Sequence, residues 1–301
     1  GDEFVIVMEE VESESAVSSF VSQLIESIET PISLGKEVLR VSCSVGISFF
    51  PDDATDPAEL LKQADVAMYT AKKNTLSAFI YYTKEMNERA IERLALENRV
   101  KSAYEEEVFE NYYQPIVNLT TGKTEGVELL LRCHFNNEWI SPAAFIPVLE
   151  ELRHIIELTR KATDTAINDL QQWYAEGYTG YVSINLSALH FKTHFDLDYI
   201  EERLTEAGLP RTALRFEITE GVLIDKSDEV LLELKRIRDA GFKLALDDFG
   251  TGYSSLSYLR RFPLDVLKID KSFIDDVKES VEENALVQTT INLSLSLKMV
   301  S

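Results

Sequence analysis

The chain has 301 residues, of which 45% are apolar and 27% are charged, a composition typical of folded globular proteins. Its formal net charge of −22 argues against a surface that binds nucleic acid nonspecifically or lies on an anionic membrane. The length allows two ordinary domains, and no apolar run reaches the roughly 18 residues that a membrane span needs.

The pattern of residues 1–82 predicts a small α/β unit. Residues 4–8 are an apolar run typical of a buried strand, and the next apolar side chains recur at helical spacing. These helical positions are Val17, Phe20, Val21, Leu24 and Ile28. Two β-rich runs follow at 38–43 and 45–49, and Asp56 is placed as the N-cap of a second helix. The expected buried face of that helix is Leu60, Leu61, Ala64, Met68 and Ala71.

Residues 84–107 are charged and free of Gly and Pro, which predicts a linking helix. From Tyr112 onward, short apolar strands alternate with longer amphipathic helices. The strand candidates are 111–118, 125–132, 181–186, 214–218, 242–246 and 265–269. The helix predicted at 227–240 is acidic in its first turn and basic in its last, and Gly241 ends it. Repeated β-then-α units favour a parallel sheet closed into a (β/α) barrel, with its site on the C-terminal face.

Most of these strands carry or end in side chains that bind metal ions or anions. They are Glu128, Arg132, Asn185, Glu217, Glu220, Asp247, Asp248 and Lys268. Oxygen ligands without His or Cys suit hard cations such as Mg²⁺, Mn²⁺ or Ca²⁺. The adjacent Asp247 and Asp248 fit two ions about 3.5–4 Å apart, an arrangement that hydrolyses phosphodiesters. Lys268 and Arg132 add positive charge for a phosphate.

Other interpretations stay open for several of these residues. An Asp-Asp pair after a strand is often only a solvated loop, and the segment 248–252 (DFGTG) lacks the Lys-Ser/Thr of a P-loop. His190 and His194 have the spacing of a zinc pair, but no Glu lies between them, and we interpret them as ordinary surface histidines. Cys43 and Cys133 lie far apart in apolar stretches, so we expect core residues rather than a disulfide.

The segments around these residues resemble the EAL family of cyclic di-GMP phosphodiesterases. The matching segments are 112–117 (YYQPIV), 128–132, 183–187, 217–220, 247–256 (DDFGTGYSSL) and 267–273 (LKIDKSF). The resemblance implies a TIM-like barrel whose first strand runs antiparallel to the rest. It also implies hydrolysis of cyclic di-GMP to linear pGpG with two Mg²⁺ or Mn²⁺ ions.

Carried over residue by residue, the resemblance implies a role for each candidate. One metal ion would be bound by Glu128, Asn185, Glu217 and Asp247. Asp247 and Asp248 would bind the second ion. Lys268 would orient the attacking water and would form the catalytic set with Glu128 and Asp247. Gln114 and Arg132 would contact the nucleotide, and Glu220 would support the 249–256 loop.

The sequence departs from the family pattern at two positions and at its end. The motif Glu-Ala-Leu is Glu128-Leu129-Leu130 here, which keeps the ligand, and Cys133 stands where the family usually has Trp, so a contact near the substrate is expected to loosen. The family continues past a strand like 298–300 into another metal-binding Glu and a substrate-binding Gln. Both would follow Ser301, so we expect residues 1–301 alone to form an incomplete barrel, to be poorly soluble and to be inactive.

Residues 1–82 resemble the C-terminal half of a GGDEF domain, the diguanylate cyclase family, with an α+β, nucleotidyl-cyclase-like fold. The matching segments are 1–4 (GDEF), 44–48 (SVGIS) and 64–72 (ADVAMYTAK). The family usually has Gly-Arg-Asn next, where this chain has 73–77 (KNTLS), so no cyclase activity is expected. The expected organisation is a partial GGDEF domain at 1–83, a linking helix at 84–107 and an EAL phosphodiesterase domain lacking its C-terminal part at 108–301.

We therefore predict a metal-dependent phosphodiesterase of bacterial second-messenger signalling. The alternative is a catalytically inactive cyclic di-GMP receptor or regulatory interaction domain, but intact metal ligands favour catalysis. Cyclic di-GMP is the expected partner, together with a second copy of the chain through the EAL domain. Contacts of this segment with nucleic acid or membrane are not expected. A cytoplasmic location is expected, which leaves room for a membrane anchor in an upstream region.

Overall fold

The computed structural model describes residues 3–11, 13–35, 37–73, 78–193, 195–224, 228–250, 259, 261–275 and 281–301. The chain divides into two compact units, Gly1–Leu96 and Glu97–Ser301. Within the described ranges, no helix combines the length and the apolar character that crossing a bilayer requires.

The first unit builds a small core from one helix and two short parallel strands. Its elements are α1 (Glu14–Glu29), β1 (Ile32–Leu34), β2 (Glu37–Leu39), β3 (Val45–Ile47), α2 (Pro57–Lys73), β4 (Phe79–Tyr81) and the start of α3 (Lys84–Glu105). β1 and β2 form an antiparallel hairpin, whereas β3 and β4 pair in parallel. Val17, Val21 and Ile25 repeat every four residues on α1, which buries them against side chains of β3 and β4.

Some local predictions for this unit are confirmed and others are wrong. Asp56 caps α2, because its carboxylate accepts a hydrogen bond from the Glu59 N–H at 3.1 Å. Residues 4–8 form no strand, since none of the described strands of this unit pairs with them. Leu61 is 51% exposed and Phe20 is 40% exposed, so both side chains lie on the solvent side of their helices.

Gly46 sets the distance between α2 and β3. A Cβ atom at this position would lie 1.9 Å from the Ala64 carbonyl oxygen and 2.2 Å from the Met68 nitrogen. Both of these atoms belong to the backbone of α2, which cannot rotate away as a side chain can. The helix therefore packs this closely only because residue 46 has no side chain.

The second unit is built on one seven-stranded sheet with helices on its outer face. Its elements are the end of α3, β5 (Phe109–Val117), β6 (Thr124–Phe135), β7 (Glu138–Ile140), α4 (Pro142–Glu151), α5 (Ile155–Ala175), β8 (Tyr181–Leu186), α6 (Ala188–Lys192), α7 (Leu197–Glu206), a 3₁₀ turn (Arg211–Ala213), β9 (Leu214–Thr219), α8 (Glu220–Ile224), α9 (Asp228–Asp239), β10 (Lys243–Phe249), β11 (Val266–Ile269), α10 (Lys271–Asp275) and α11 (Val281–Ser296). The strand order is β11-β10-β9-β8-β6-β5, and β7 lies beside β6. β6, β8, β9, β10 and β11 are parallel, whereas β5 and β7 run antiparallel to β6.

All six predicted strands of this unit form near their predicted positions, and the first one is antiparallel as expected. The short strand β7 was not predicted. Val300 forms a parallel bridge with Val266, in the segment 298–300 where a seventh strand was expected. The helix predicted at 84–107 forms as α3 and ends two residues earlier, while the proposed cap Ser227 lies outside the described residues.

Side chains alternate across the sheet, and this alternation creates the site. On β9, Leu214, Phe216 and Ile218 are buried in the apolar core. The residues between them, such as Arg215 and Glu217, point to the opposite face of the strand. The same alternation on neighbouring strands places the polar residues together on the inner face of the sheet.

The turn between β5 and β6 lies at the amino end of β6. The Asn118 side-chain oxygen accepts hydrogen bonds from the N–H groups of Thr120 and Thr121, at 2.9 and 2.8 Å. Gly122 has a φ of 68°, which closes the turn, and Leu119 is 98% exposed. This turn and the carboxyl ends of the parallel strands are therefore at opposite ends of the sheet.

Candidate active site

Five side chains from five neighbouring parallel strands form the candidate site. They are Glu128 on β6, Asn185 on β8, Glu217 on β9, Asp247 on β10 and Lys268 on β11. The strand register places Asn185 directly beside Glu217. Because the strands are parallel, their polar side chains meet at one edge of the sheet, as the sequence predicted.

Lys268 is the centre of this arrangement. Its Nζ lies 3.1 Å from a Glu128 oxygen and 3.1 Å from an Asp247 oxygen, and it also donates a hydrogen bond to Glu217. Burial opposes the charge of the ammonium, but the three carboxylates outweigh it and raise the pKa of Lys268 well above its usual range. Lys268 therefore stays protonated at neutral pH.

The three carboxylates together can hold a cation. Their nearest oxygens all lie within 4.8 Å of one another. The side chain of Glu217 is only 1% exposed, and burial raises its pKa, an effect that the nearby Lys268 partly offsets. Asn185 donates its Nδ2 hydrogen to Glu128 at 2.9 Å, which leaves its Oδ1 as the atom available to a cation.

Asp248 lies next to this cluster and pairs with a further acidic residue. Its φ of 54° is left-handed, a conformation that Asp tolerates better than most side chains. Burial first, and then the negative charges of Asp247 and Asp270, raise the pKa of Asp248. Asp270 accepts hydrogen bonds from the N–H and the hydroxyl of Ser272, which lower its pKa. The interaction between the two carboxyl groups raises the pKa of Asp248 and lowers that of Asp270.

Glu220 is buried behind the site, with 4% exposure. One of its oxygens accepts a hydrogen bond from the Gly250 N–H at 2.8 Å. The other oxygen has no hydrogen-bond partner among the described residues. Of the 249–256 loop that Glu220 was expected to support, residues 251–256 lie outside the described residues, and the observed contact is to Gly250.

Gln114 and Arg132, the predicted substrate contacts, lie beside the cluster. Gln114 is exposed and stands directly opposite Glu128 in the β5–β6 ladder. Arg132 is four residues beyond Glu128 on the same face of β6, with its guanidinium 5.8 Å from the centroid of the Tyr112 ring. None of the described contacts joins Arg132 to the three carboxylates.

The structure corrects two predictions about side chains. Cys133 is fully buried and alternates onto the face of β6 opposite Arg132, so the missing Trp affects packing with the helices rather than a contact with substrate. His190 is not a surface histidine, because it is only 3% exposed. His194 lies outside the described residues.

Two residues of the site were not assigned a role from the sequence. Ser183 donates its hydroxyl hydrogen to Glu217 at 2.5 Å, and Asp270 pairs with Asp248. Ser183 lies two residues before Asn185 on β8. Asp270 lies two residues after Lys268, directly beyond the end of β11. The two-residue period of a strand is the signal that identifies such neighbours.

Known proteins are similar to this chain in sequence and in fold. The EAL domain family model matches residues 97–300, and the model of the diguanylate cyclase GGDEF domain matches residues 1–77. The bifunctional diguanylate cyclase/cyclic di-GMP phosphodiesterase MucR of Pseudomonas aeruginosa is 33% identical over 305 residues, which cover 100% of this chain and 44% of MucR. The cyclic di-GMP phosphodiesterase PdeR of Escherichia coli is 31% identical over 300 residues, which cover 99% of this chain and 45% of PdeR. This chain therefore spans less than half the length of these curated relatives.

Among solved structures, the PaMucR phosphodiesterase in complex with c-di-GMP is 31% identical, with a TM-score of 0.63. The likeness covers 68% of this chain and 84% of that chain. It identifies the fold of the second unit as the TIM-like barrel of EAL domains, with a GGDEF match in the first unit. From these matches, the chain belongs to the EAL domain family.

Proposed function

We propose that the EAL unit hydrolyses cyclic di-GMP to linear pGpG in bacterial second-messenger signalling. The observation that carries this proposal is the convergence of Glu128, Glu217 and Asp247, from three strands, on Lys268. Carboxylates in this arrangement suit a hard cation, and a fixed ammonium suits a phosphate. The names of the relatives, which are cyclic di-GMP phosphodiesterases, support the same substrate.

The donor set fits Mg²⁺ or Mn²⁺, because every candidate ligand offers oxygen. We propose that one ion is held by Glu128, Asn185, Glu217 and Asp247, and that Asp247 and Asp248 hold a second. Lys268 places only one positive charge against three carboxylates, so the cluster keeps a negative charge that a divalent cation can neutralise. When bound, such ions neutralise charge on the phosphate and make water a better nucleophile.

The protein's own residues then divide the remaining tasks. In the metal-free site Lys268 carries a proton at neutral pH, and its proposed role is to orient the attacking water as a hydrogen-bond donor. Glu128 and Asp247, with side chains 18% and 19% exposed, are the carboxylates that water can reach. Gln114 and Arg132 are proposed to contact the nucleotide, and Glu220 to hold the loop through Gly250.

A second candidate function is recognition of cyclic di-GMP without hydrolysis. The ion pairs of Lys268 favour it in one respect, because the ammonium occupies the same oxygens that metal ions would use. Conversely, every candidate ligand of the first ion is present in the site, as catalysis requires. The two functions differ in whether pGpG is formed.

For the rest of the chain, we propose the domain division 1–83, 84–107 and 108–301, a cytoplasmic location and a dimer formed through the EAL domain. The GGDEF unit is proposed to lack cyclase activity, because residues 73–77 replace the usual Gly-Arg-Asn.

The test compares the full-length protein with its Asp247→Asn variant in Mg²⁺ or Mn²⁺, with pGpG measured by liquid chromatography. We expect the variant to lose about 100-fold or more in turnover, the order expected when a main stabiliser of developing charge is removed. Asp239→Asn, an exposed residue at the end of α9, is the matched control and should keep full turnover. Near-normal turnover of Asp247→Asn would contradict the metal assignment, and saturable binding without any product from the unmodified protein would favour the receptor.

A further inference from the structure

Ser183 is a fully buried serine on β8, two residues before Asn185. The alternate residues of this strand, such as Val182 and Ile184, pack in the apolar core, so Ser183 points to the opposite, polar face of the sheet. In the strand register it stands directly beside Glu128 of β6. Ser183 is therefore placed among the charged side chains of the candidate active site, although neither its charge nor its size suits a metal ligand.

The two carboxylate oxygens of Glu217 have different partners. Oε1 accepts a hydrogen bond of 2.5 Å from the Ser183 hydroxyl, and Oε2 accepts one from Lys268. Because the side chain of Glu217 is 1% exposed, little water can replace either donor. A carboxylate that is held at both oxygens, by donors on two different strands, cannot rotate without breaking a hydrogen bond. The Ser183 hydroxyl thus determines which oxygen Glu217 turns toward the other carboxylates.

Glu128 is held in the same way by the other polar residue of β8. Asn185 donates its Nδ2 hydrogen to Oε1 of Glu128 at 2.9 Å, and Lys268 donates to Oε2 at 3.1 Å. Both glutamates therefore have Oε1 bound to β8 and Oε2 turned to the centre of the site. Each Oε2 has a second lone pair besides the one that Lys268 uses, so it remains available to a cation.

We propose that Ser183 is a positioning residue of the metal site, which holds Oε1 of Glu217 so that this residue binds the cation through Oε2 alone. The inference rests on the metal assignment of the proposed function. Without the hydroxyl, Oε1 has lost its donor in a place that water barely reaches, and the carboxylate is free to turn both oxygens toward Lys268 or the cation. Mg²⁺ tolerates such a change of ligand geometry poorly.

The experiment measures Mn²⁺ binding to the full-length protein, from the paramagnetic resonance signal of the free ion, and pGpG formation at saturating Mn²⁺. Ser183→Ala should weaken Mn²⁺ binding by about tenfold or more, the usual cost of removing a group that orients a metal ligand. Ser183→Thr keeps the hydroxyl and suits a strand, so its affinity should stay within about threefold of that of the unmodified protein. Ser296→Ala is the matched control and should change nothing, because Ser296 is exposed and its hydroxyl donates to the Asn292 carbonyl of its own helix.

A purely structural role for Ser183 predicts a different result. Ser183→Ala would then lower the melting temperature of the metal-free protein but leave the Mn²⁺ affinity and the turnover of the folded protein unchanged, which would overturn the proposal. An equal loss of affinity in the Ala and Thr variants would also overturn it, because the hydroxyl would not be the cause.

Two further results keep the test decisive. Ser183→Cys has a similar size but a weaker donor, so it should also bind Mn²⁺ less tightly, and this comparison holds even where Ser183→Ala does not fold. Unchanged affinity of the Cys variant would count against the proposal. If the unmodified protein forms no pGpG while Mn²⁺ affinity still follows the strength of the donor at position 183, the proposed hydrolysis fails and the role of Ser183 stands.

Discussion

Replacing Lys268 by Met should destabilise the second unit, because the substitution leaves three carboxylates without their counter-charge. Lys268 contacts Glu128 and Asp247 at 3.1 Å and Glu217 more closely still. Its side chain is 27% exposed, and that of Glu217 is 1% exposed. Water can therefore solvate the orphaned Glu217 carboxylate only poorly.

The expected loss can be worked from these contacts. At 3.1 Å, a single ion pair is worth about 5 kcal/mol with an effective dielectric constant of about 20. Part of this energy is offset by the cost of burying the ammonium, and removing one partner of a buried pair costs about 3–5 kcal/mol in practice. For an unfolding slope of about 2 kcal/mol per molar urea, the midpoint should fall by about 1.5–2.5 M.

The stability lost in the Lys268→Met variant should depend on pH, and the direction of this dependence follows from the pKa of Glu217. Burial already raises the folded-state pKa of Glu217 above its unfolded value, and the loss of Lys268 raises it further. A raised carboxyl pKa means that the folded state takes up a proton first, so the variant gains stability as pH falls toward about 4.5. The difference between the variant and the unmodified protein should therefore shrink from pH 7.5 to pH 5.

Tryptophan fluorescence is the appropriate assay, because both tryptophans, Trp139 and Trp173, lie in the second unit. Urea unfolding without divalent cations is measured at both pH values, with Lys243→Met as the control, since Lys243 is an exposed lysine at the start of β10. Adding Mn²⁺ should return part of the lost stability. A midpoint that moves by less than 0.5 M at pH 7.5 in the Lys268→Met variant, about 1 kcal/mol at that slope, would refute the reasoning.

Two further predictions concern positions outside this ion cluster. Asp248→Asn should raise the stability of the metal-free protein by about 0.5 kcal/mol at pH 8, a small gain because Asp248 is exposed and water screens its repulsion from Asp247 and Asp270. The gain should vanish near pH 4, where the aspartate is protonated, and a gain that does not depend on pH in thermal melts would count against charge as the cause. Gly46→Ala should cost the first unit about 3 kcal/mol, because its Cβ would overlap the α2 backbone. Hydrogen exchange should show this loss in residues 13–82 and not in the EAL unit, and unchanged protection of α2 would contradict the packing argument.

The sequence predicted the barrel strands well because each strand is a short apolar run that carries a polar side chain or ends in one. The hydrophobic pattern fails to predict burial where a side chain is covered only if another helix or strand packs against it. Residues 4–8 are all apolar, unlike β9, yet Phe4 is 88% exposed because none of the described strands of its unit lies beside it. Phe20 follows the helical spacing of α1, but the core is reached by positions 17, 21 and 25. Periodicity identifies a helix more reliably than it identifies the side that is buried.

The members of the candidate site were found from strand ends and family motifs, but their contacts were not. The sequence offered Lys268 as one positive charge for a phosphate, and the structure shows it paired with three carboxylates. His190 was interpreted as a surface residue because, with no Glu between His190 and His194, the pair did not fit a zinc site. Its burial results from the packing of α6 near α5, from which β8 separates it in the sequence, and from the nearby Phe195 ring.

The antiparallel direction of β5 has a practical consequence for labelling the protein. Since β5 returns to the amino end of β6, the turn at 118–123 is a short surface connection at the end of the sheet opposite the carboxyl ends of the parallel strands. The side chain of Leu119 is 98% exposed, so it does not pack in the core. Exposed turns of this kind accept inserted peptides and dyes better than other positions. A fluorophore or an epitope inserted after Thr120 would therefore report on the folding of the barrel from the end of the sheet opposite the candidate active site.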